Sequence, residues 1–273
     1  MVEQPGKPII RVRGLINRFG SETVHDGVDL DVRRGEVLGI VGGSGSGKSV
    51  LLRTVVGLNR PAEGEVEVFG RDVLGISDRQ RRELERRWGV LFQDGALFSS
   101  LTVAQNIEVP LKEYHRDIPL RLMDEISAVK VGLVGLPDDA GEKYPSQLSG
   151  GMRKRAGLAR ALALDPEIVF LDEPTAGLDP IAAGAFDELI RDLKGSLGLT
   201  VFMVTHDLDS LFAICDRVAV LVDKKIRVGT LEQLLKDDHP WVHEYFHGPR
   251  GRAARPSEDV AMPAKETRSV APA

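Results

Sequence analysis

Residues Gly42-Gly43-Ser44-Gly45-Ser46-Gly47-Lys48-Ser49 fit the pattern G-x-x-x-x-G-K-[ST]. An apolar run at 37–41 precedes them, and an apolar helical pattern follows from Lys48 to about Val56. A strand, a glycine loop and a helix in that order suit phosphate binding. Glycines let backbone N–H groups converge on an anion, and the helix N-terminus adds a favourable dipole. Lys48 is then placed to reach the outer phosphates, and the Ser49 hydroxyl to ligate Mg²⁺. The dinucleotide fingerprint fails here: starting from Gly43 and Gly45, its third glycine would fall on Lys48.

Two further segments carry complementary chemistry. Ile168-Val169-Phe170-Leu171-Asp172-Glu173 reads as a buried strand whose C-terminal edge presents paired carboxylates beside the phosphate loop. Asp172 is expected to hold the Mg²⁺ shell and Glu173 to polarise an attacking water as general base. Leu148-Ser149-Gly150-Gly151-Met152 stands ahead of a helical stretch that continues Arg153-Lys154-Arg155. A serine and two glycines at a helix N-terminus form a second anion site. One bound nucleotide would not obviously need both.

The elements that must position these residues follow from periodicity. Short β-branched runs at 37–41, 65–68, 90–92, 168–171, 200–203 and 218–221 alternate with helical patterns, which predicts an α/β fold with a largely parallel sheet. Between 94 and 165 the pattern turns helical, with 103–109, 120–131 and 150–163 the clearest pieces. This reads as a helical subdomain (94–165) inserted into an α/β core (9–93 and 166–247), followed by a disordered tail over 248–273 rich in Pro, Ala, Arg and Ser. Composition excludes other classes. Net charge is −5 and aromatics are 5%, so neither a global field nor base stacking favours nucleic acid. A lone Cys215 precludes an internal disulfide. Residues 1–10 hold no long apolar stretch, so no secretory signal is expected there, and no apolar run approaches the roughly 18–20 residues of a membrane helix, so membrane business is expected to go through a partner.

From about residue 10 to residue 228 the sequence resembles the ATP-binding subunits of ABC transporters. The resemblance implies a P-loop NTPase fold with a RecA-like core, ATP and Mg²⁺ as ligands, and a homodimer beneath a transmembrane permease. In that family two subunits pack head to tail, so that Ser149, Gly150 and Gly151 of one cap the ATP held by residues Gly42 to Ser49 and Val50 of the other. Phe19 lies where the family stacks an aromatic on adenine. Gln93 lies where a glutamine contacts Mg²⁺ and the attacking water and couples to the permease. Asp179, in Ala176-Gly177-Leu178-Asp179, matches the loop that communicates across the dimer, and His206 matches the histidine that contacts the γ-phosphate. Met152 departs from the family's usual glutamine, and methionine is at best a weak acceptor.

Lys48-Ser49-Val50, Gln93-Asp94-Gly95-Ala96-Leu97-Phe98, the methionine signature and the ending Pro240-Trp241-Val242 with Tyr245-Phe246-His247-Gly248 are similar to one subgroup. These are the ATPases of bacterial phospholipid transporters that use mammalian-cell-entry (MCE) domain proteins, the Mla-type lipid-asymmetry systems. That implies a peripheral subunit on the cytoplasmic face of the inner membrane, with an MCE-domain periplasmic protein in the assembly. A polar amino-acid or other solute importer shares most of these motifs. A soluble ABC protein of repair or translation usually has two fused cassettes or a coiled-coil insertion, and neither feature is present.

Two patterns have plainer explanations. His243-Glu244-Tyr245-Phe246-His247 matches H-E-x-x-H, but Pro240 suits a first helical turn, which leaves His239 at the cap, and Gly248-Pro249 ends the helix after about two turns. The basic run from Arg79 to Arg87 interleaves glutamates at i,i+4 spacing and reads as a solvated helix. The apolar groups Trp241, Val242, Tyr245 and Phe246 need a surface, because so short a helix is marginal alone. Their own domain and the neighbouring subunit both stand as candidates.

Overall fold

The computed structural model describes residues 7–115, 117–249, 251 and 254. The chain runs β1 (Ile10–Phe19), β2 (Glu22–Val32), β3 (Val37–Gly42), α1 (Lys48–Val55), β4 (Glu63–Val68), β5 (Arg71–Asp72), α2 (Asp78–Glu85) and β6 (Trp88–Leu91). It then turns helical with α3 (Val103–Tyr114), α4 (Leu120–Leu133) and α5 (Gly150–Ala161). Alternation resumes with β7 (Ile168–Asp172), α6 (Pro180–Leu197), β8 (Thr200–Val204), α7 (Leu208–Ile214), β9 (Arg217–Val222) and β10 (Lys225–Gly229). Two short helices follow, α8 (Leu231–Leu234) and α9 (Pro240–His247).

The apolar runs form a six-stranded sheet, ordered β10-β9-β3-β8-β7-β6 and parallel except for β10. Its central strands are apolar on both faces because both are covered. Ile168 and Phe170 of β7 join Phe202 and Val204 of β8 in one cluster with Leu51, Leu52 and Val55 of α1. The intervening Val169, Leu171, Val201 and Met203 face a second cluster with α3, α5 and α6. Glycines bring α5 unusually close to this sheet. A Cβ on Gly89 would lie 2.0 Å from the Ala161 carbonyl oxygen, and one on Gly157 would lie 2.7 Å from Leu91 Cδ1.

The expected largely parallel sheet is incomplete as a description. Residues 10–32, which suggested no strand, form β1 and β2 of a second, antiparallel sheet ordered β2-β1-β4-β5. Register shifts between Val12 and Arg18, beside a left-handed Gly14 (φ 56°), break the two-residue period that would have announced them. α3 also runs past the expected end at 109, through Pro110 to Tyr114. Its start is fixed by a capping box of Thr102 and Gln105. α2 is the solvated basic helix, capped by Ser77 and Gln80, with Arg71 and Arg79 on Glu83 and Arg82 on Glu113.

α9 docks on its own domain. Val242 and Phe246 are fully buried among Val41, Leu208, Leu211, Val218, Val220 and Leu234. Pro240 opens the helix, and His239 caps it by accepting from the Trp241 N–H (3.2 Å). His239 Nε2 also lies 3.0 Å from Asp223, while His247 Nε2 donates to the Leu235 carbonyl at 2.7 Å. Most of the tail expected to be disordered, residues 250, 252, 253 and 255–273, lies outside the described residues.

Candidate functional site: a phosphate loop and a paired carboxylate edge

β3 delivers its chain end to the loop 42–47, whose glycines answer real steric demands. A Cβ on Gly42 would lie 2.5 Å from Ser46 Oγ and 2.6 Å from the Leu221 carbonyl. One on Gly47 (φ 95°) would lie 2.4 Å from Val24 Cγ1 and 2.6 Å from His25 Nε2. The helix that follows lacks a side-chain cap and has no acidic residue in its first turn. Its orphan N–H groups therefore stay open to an anion. Lys48 curls back over the loop, with Nζ donating to the carbonyls of Gly42 (2.9 Å) and Gly43 (3.1 Å). Burial lowers its pKa, and the charges of Glu173 and Asp172 oppose that shift. A polyphosphate in the loop would give this ammonium a direct ionic partner in place of two carbonyls.

β7 ends beside the loop. Ser49 Oγ donates to Asp172 Oδ1 at 3.0 Å, which joins the two expected Mg²⁺ ligands as a hard-oxygen pair. Glu173 follows in a left-handed conformation (φ 51°), uncommon for a non-glycine residue. Its N–H bonds Val204 O at 2.9 Å, and its Oε2 lies 2.6 Å from His206 Nδ1. β7 and β8 are neighbours, so the sheet itself brings the histidine to the carboxylate.

The remaining expected residues are dispersed. Ser149 caps α5, accepting from Met152 N at 3.2 Å, and is exposed with Gly150. No hydrogen bond among the described residues joins this turn to the phosphate loop. Asp179 caps α6, with Oδ1 accepting from Ile181 N and Ala182 N at 3.0 Å each. Gln93 is exposed two residues beyond β6, not at the strand's end, and Phe19 is 52% exposed at the end of β1.

Several residues near the site gave no sequence signal. Lys154, buried on α5, donates to the backbone carbonyls of Gln93 and Glu173. Asn17 Nδ2 donates to His25 Nδ1 at 2.9 Å, and Thr54 Oγ1 bonds Asn17 Oδ1 at 3.4 Å, which builds a buried polar strut behind Gly47. Trp241 stacks on Tyr245 with its indole beside Gly43, and Tyr245 Oη lies 3.4 Å from the His206 carbonyl oxygen. A buried lysine and histidine look in sequence like any solvated lysine or core histidine. Only tertiary placement distinguishes them.

A parallel sheet with a glycine loop after one strand, an acidic edge on a nearby strand and an inserted helical layer defines a P-loop nucleotide hydrolase. The ABC transporter family pattern matches residues 25–176, and the chain belongs to that family. It is an ATP-hydrolysing cassette that uses ATP with Mg²⁺. The chain is similar to the probable ribonucleotide transport ATP-binding protein mkl of Mycobacterium leprae, 41% identical over 242 residues, covering 88% of this chain and 69% of that protein. It is also similar to the intermembrane phospholipid transport system ATP-binding protein MlaF of Haemophilus influenzae, 39% identical over 241 residues, 88% of this chain and 90% of that one. The methionine import ATP-binding protein MetN of Mesorhizobium japonicum is 42% identical over 213 residues, 78% of this chain and 58% of that one. Among solved structures, a dimeric bacterial ABC transporter cassette superposes with a TM-score of 0.75 at 30% identity, covering 81% of this chain and 98% of that one. A dimeric post-hydrolysis cassette bound to ADP and Pi matches with a TM-score of 0.74 at 30% identity.

Proposed function

We propose that this ATPase powers phospholipid movement between bacterial membranes, as a homodimer on the cytoplasmic face of the inner membrane beneath a permease and an MCE-domain protein. The observation that carries the lipid reading is the match to MlaF along 90% of that protein's length, whereas MetN extends well beyond the shared cassette. Import of a polar solute is the second reading, favoured by the name of MetN, a methionine import protein. Among the described residues no helix is long and apolar enough to cross a membrane, so this reading needs a partner that does. A cleft of about 440 Å³ between β6 and α3, lined by Trp88, Phe92, Phe98, Val109, Pro110 and Leu164, offers such a partner an apolar seat. Dimerisation draws support from Ile181, 86% exposed beside Asp179, and from Leu178 lying against the Gly150-Gly151 turn. Leu178 sits next to the turn that follows the exposed Ser149, the residue assigned to cap the other subunit's nucleotide.

In this mechanism the loop Gly42–Ser49 with Val50 cradles the phosphates through backbone N–H groups, and Phe19 stacks on the adenine. Lys48 exchanges its two carbonyl partners for phosphate oxygens. Ser49 and Asp172, with Gln93, would hold Mg²⁺, which would supply charge neutralisation on the phosphates. Glu173 takes the proton from the attacking water, and His206 orients that carboxylate through Nδ1 while its ring faces the γ-phosphate. Ser149, Gly150 and Gly151 of the second copy close the site, with Asp179 beside them.

One purification tests both levels. Tagged Glu173→Gln protein, taken from membranes with ATP, should retain nucleotide, lose nearly all turnover and bring down a permease together with an MCE-domain protein. Lys48→Ala should lose nucleotide binding itself. Substantial hydrolysis by Glu173→Gln would remove glutamate from the role of base. A solute-binding protein in place of the MCE protein would favour the importer.

A further inference from the structure

α5 carries Ser149 at its N-cap and, five residues further on, Lys154. That separation is about 7.5 Å along a helix axis, so the helix spans from an exposed turn to the interior. Lys154 is only 5% exposed, although lysine is almost never fully buried without partners. Its partners are not carboxylates. Nζ donates to the backbone carbonyl of Gln93 and, at 2.9 Å, to that of Glu173. Burial lowers its pKa, while Asp94, Glu173 and Asp172 favour its charge, so the ammonium stands in the field of the site.

The same helix grips the Gln93 loop a second time. Arg160 donates to the carbonyls of Gly95 (2.8 Å) and Ala96 (2.7 Å). A Cβ on Gly157 would lie 3.0 Å from Gly95 Cα, so helix and loop touch backbone to side-chain-free backbone. Both gripped segments contain a non-glycine residue in the left-handed region, Glu173 (φ 51°) and Ala96 (φ 47°). Such conformations persist only where the surroundings over-determine them.

We infer that Lys154 is a positioning residue for hydrolysis: it fixes the backbone of Glu173 and of Gln93 to the helix that Ser149 caps. The inference rests on Glu173 being the hydrolytic carboxylate.

The test compares Lys154→Met and Lys154→Arg with Glu173→Gln in full-length protein, reading ATP affinity, kcat and thermal melting for each. Methionine fills the space without a donor, and arginine can reach both carbonyls. Lys154→Met should lower kcat roughly 10- to 100-fold, as a displacement of about 1 Å at a reacting group can do. Its ATP affinity should stay within about twofold of wild type, and arginine should recover part of kcat. The inference is overturned if Lys154→Met keeps kcat near wild type, if it loses nucleotide binding and melting temperature in parallel with kcat, or if arginine performs no better than methionine. Retained turnover in Glu173→Gln would instead defeat the assignment of the base. Loss in Glu173→Gln without loss in Lys154→Met would defeat only the role of the lysine.

Discussion

His25 shows what a single buried side chain contributes. It is fully buried, its Nδ1 accepts from Asn17, and its Nε2 has no partner that meets hydrogen-bond geometry, pointing instead at Gly47. Burial pushes its pKa down to about 4 from 6.5. Between those values the unfolded chain binds the proton and the folded one does not, so stability falls as pH drops through that window. At pH 5 the loss is about 2 kcal/mol. Asp187, pushed up to about 6 by burial, acts in the opposite sense over nearly the same range. The two partly mask each other in the wild-type protein. His25→Phe should therefore gain about 2 kcal/mol relative to wild type between pH 7 and pH 5, read by urea unfolding at both values. A difference independent of pH would mean that His25 is not held neutral. At this scale the sequence was legible where chemistry demands a motif. Lys48, Ser49, Asp172, Glu173 and His206 were expected together, and the structure joins Ser49 to Asp172 and Glu173 to His206. His25 and Lys154 were not legible, because their partners are backbone groups and amides distant in sequence.

The elements were legible in proportion to how cleanly burial imposed a period. β3, β7, β8 and β9 are apolar on both faces and stood out as short runs. β1 and β2 did not, because shifts of register scatter their alternation. The C-terminal helix illustrates a limit of another kind. Its apolar residues were evident, but sequence cannot say which surface receives them. The structure seats Val242 and Phe246 in the core behind Val41, the residue that leads into the phosphate loop. Phe246→Ala should then cost about 3–5 kcal/mol. Deleting residues 240–273 should make the monomer melt much earlier and weaken nucleotide binding, because Trp241 would no longer lie beside Gly43. An unchanged monomer melt with loss of dimer alone would place the helix on the neighbouring subunit instead.

At the scale of the molecule, no hydrogen bond among the described residues joins the phosphate loop to the Ser149 turn, and the proposed function makes them two halves of a site completed by a second copy. The phosphate loop sits at the end of β3 in the core, and the Ser149 turn caps a helix of the inserted layer and points to solvent. The two anion-binding signatures were legible in the sequence. The contacts of α5 with Gln93 and Glu173 were not, since they depend on Gly89 and Gly157 letting α5 lie against β6. We propose that a nucleotide is closed between the Lys48 loop of one copy and the Ser149 turn of another. Ser44 and Ser149 are both exposed, and the only native cysteine, Cys215, has its thiol pKa pushed well up by burial. Cysteines placed at both serines in a Glu173→Gln background therefore give a direct reading under mild oxidation. A covalent dimer should form when ATP is present and should require both cysteines. A crosslink formed within one chain, or no covalent dimer in protein fully loaded with ATP, would contradict it.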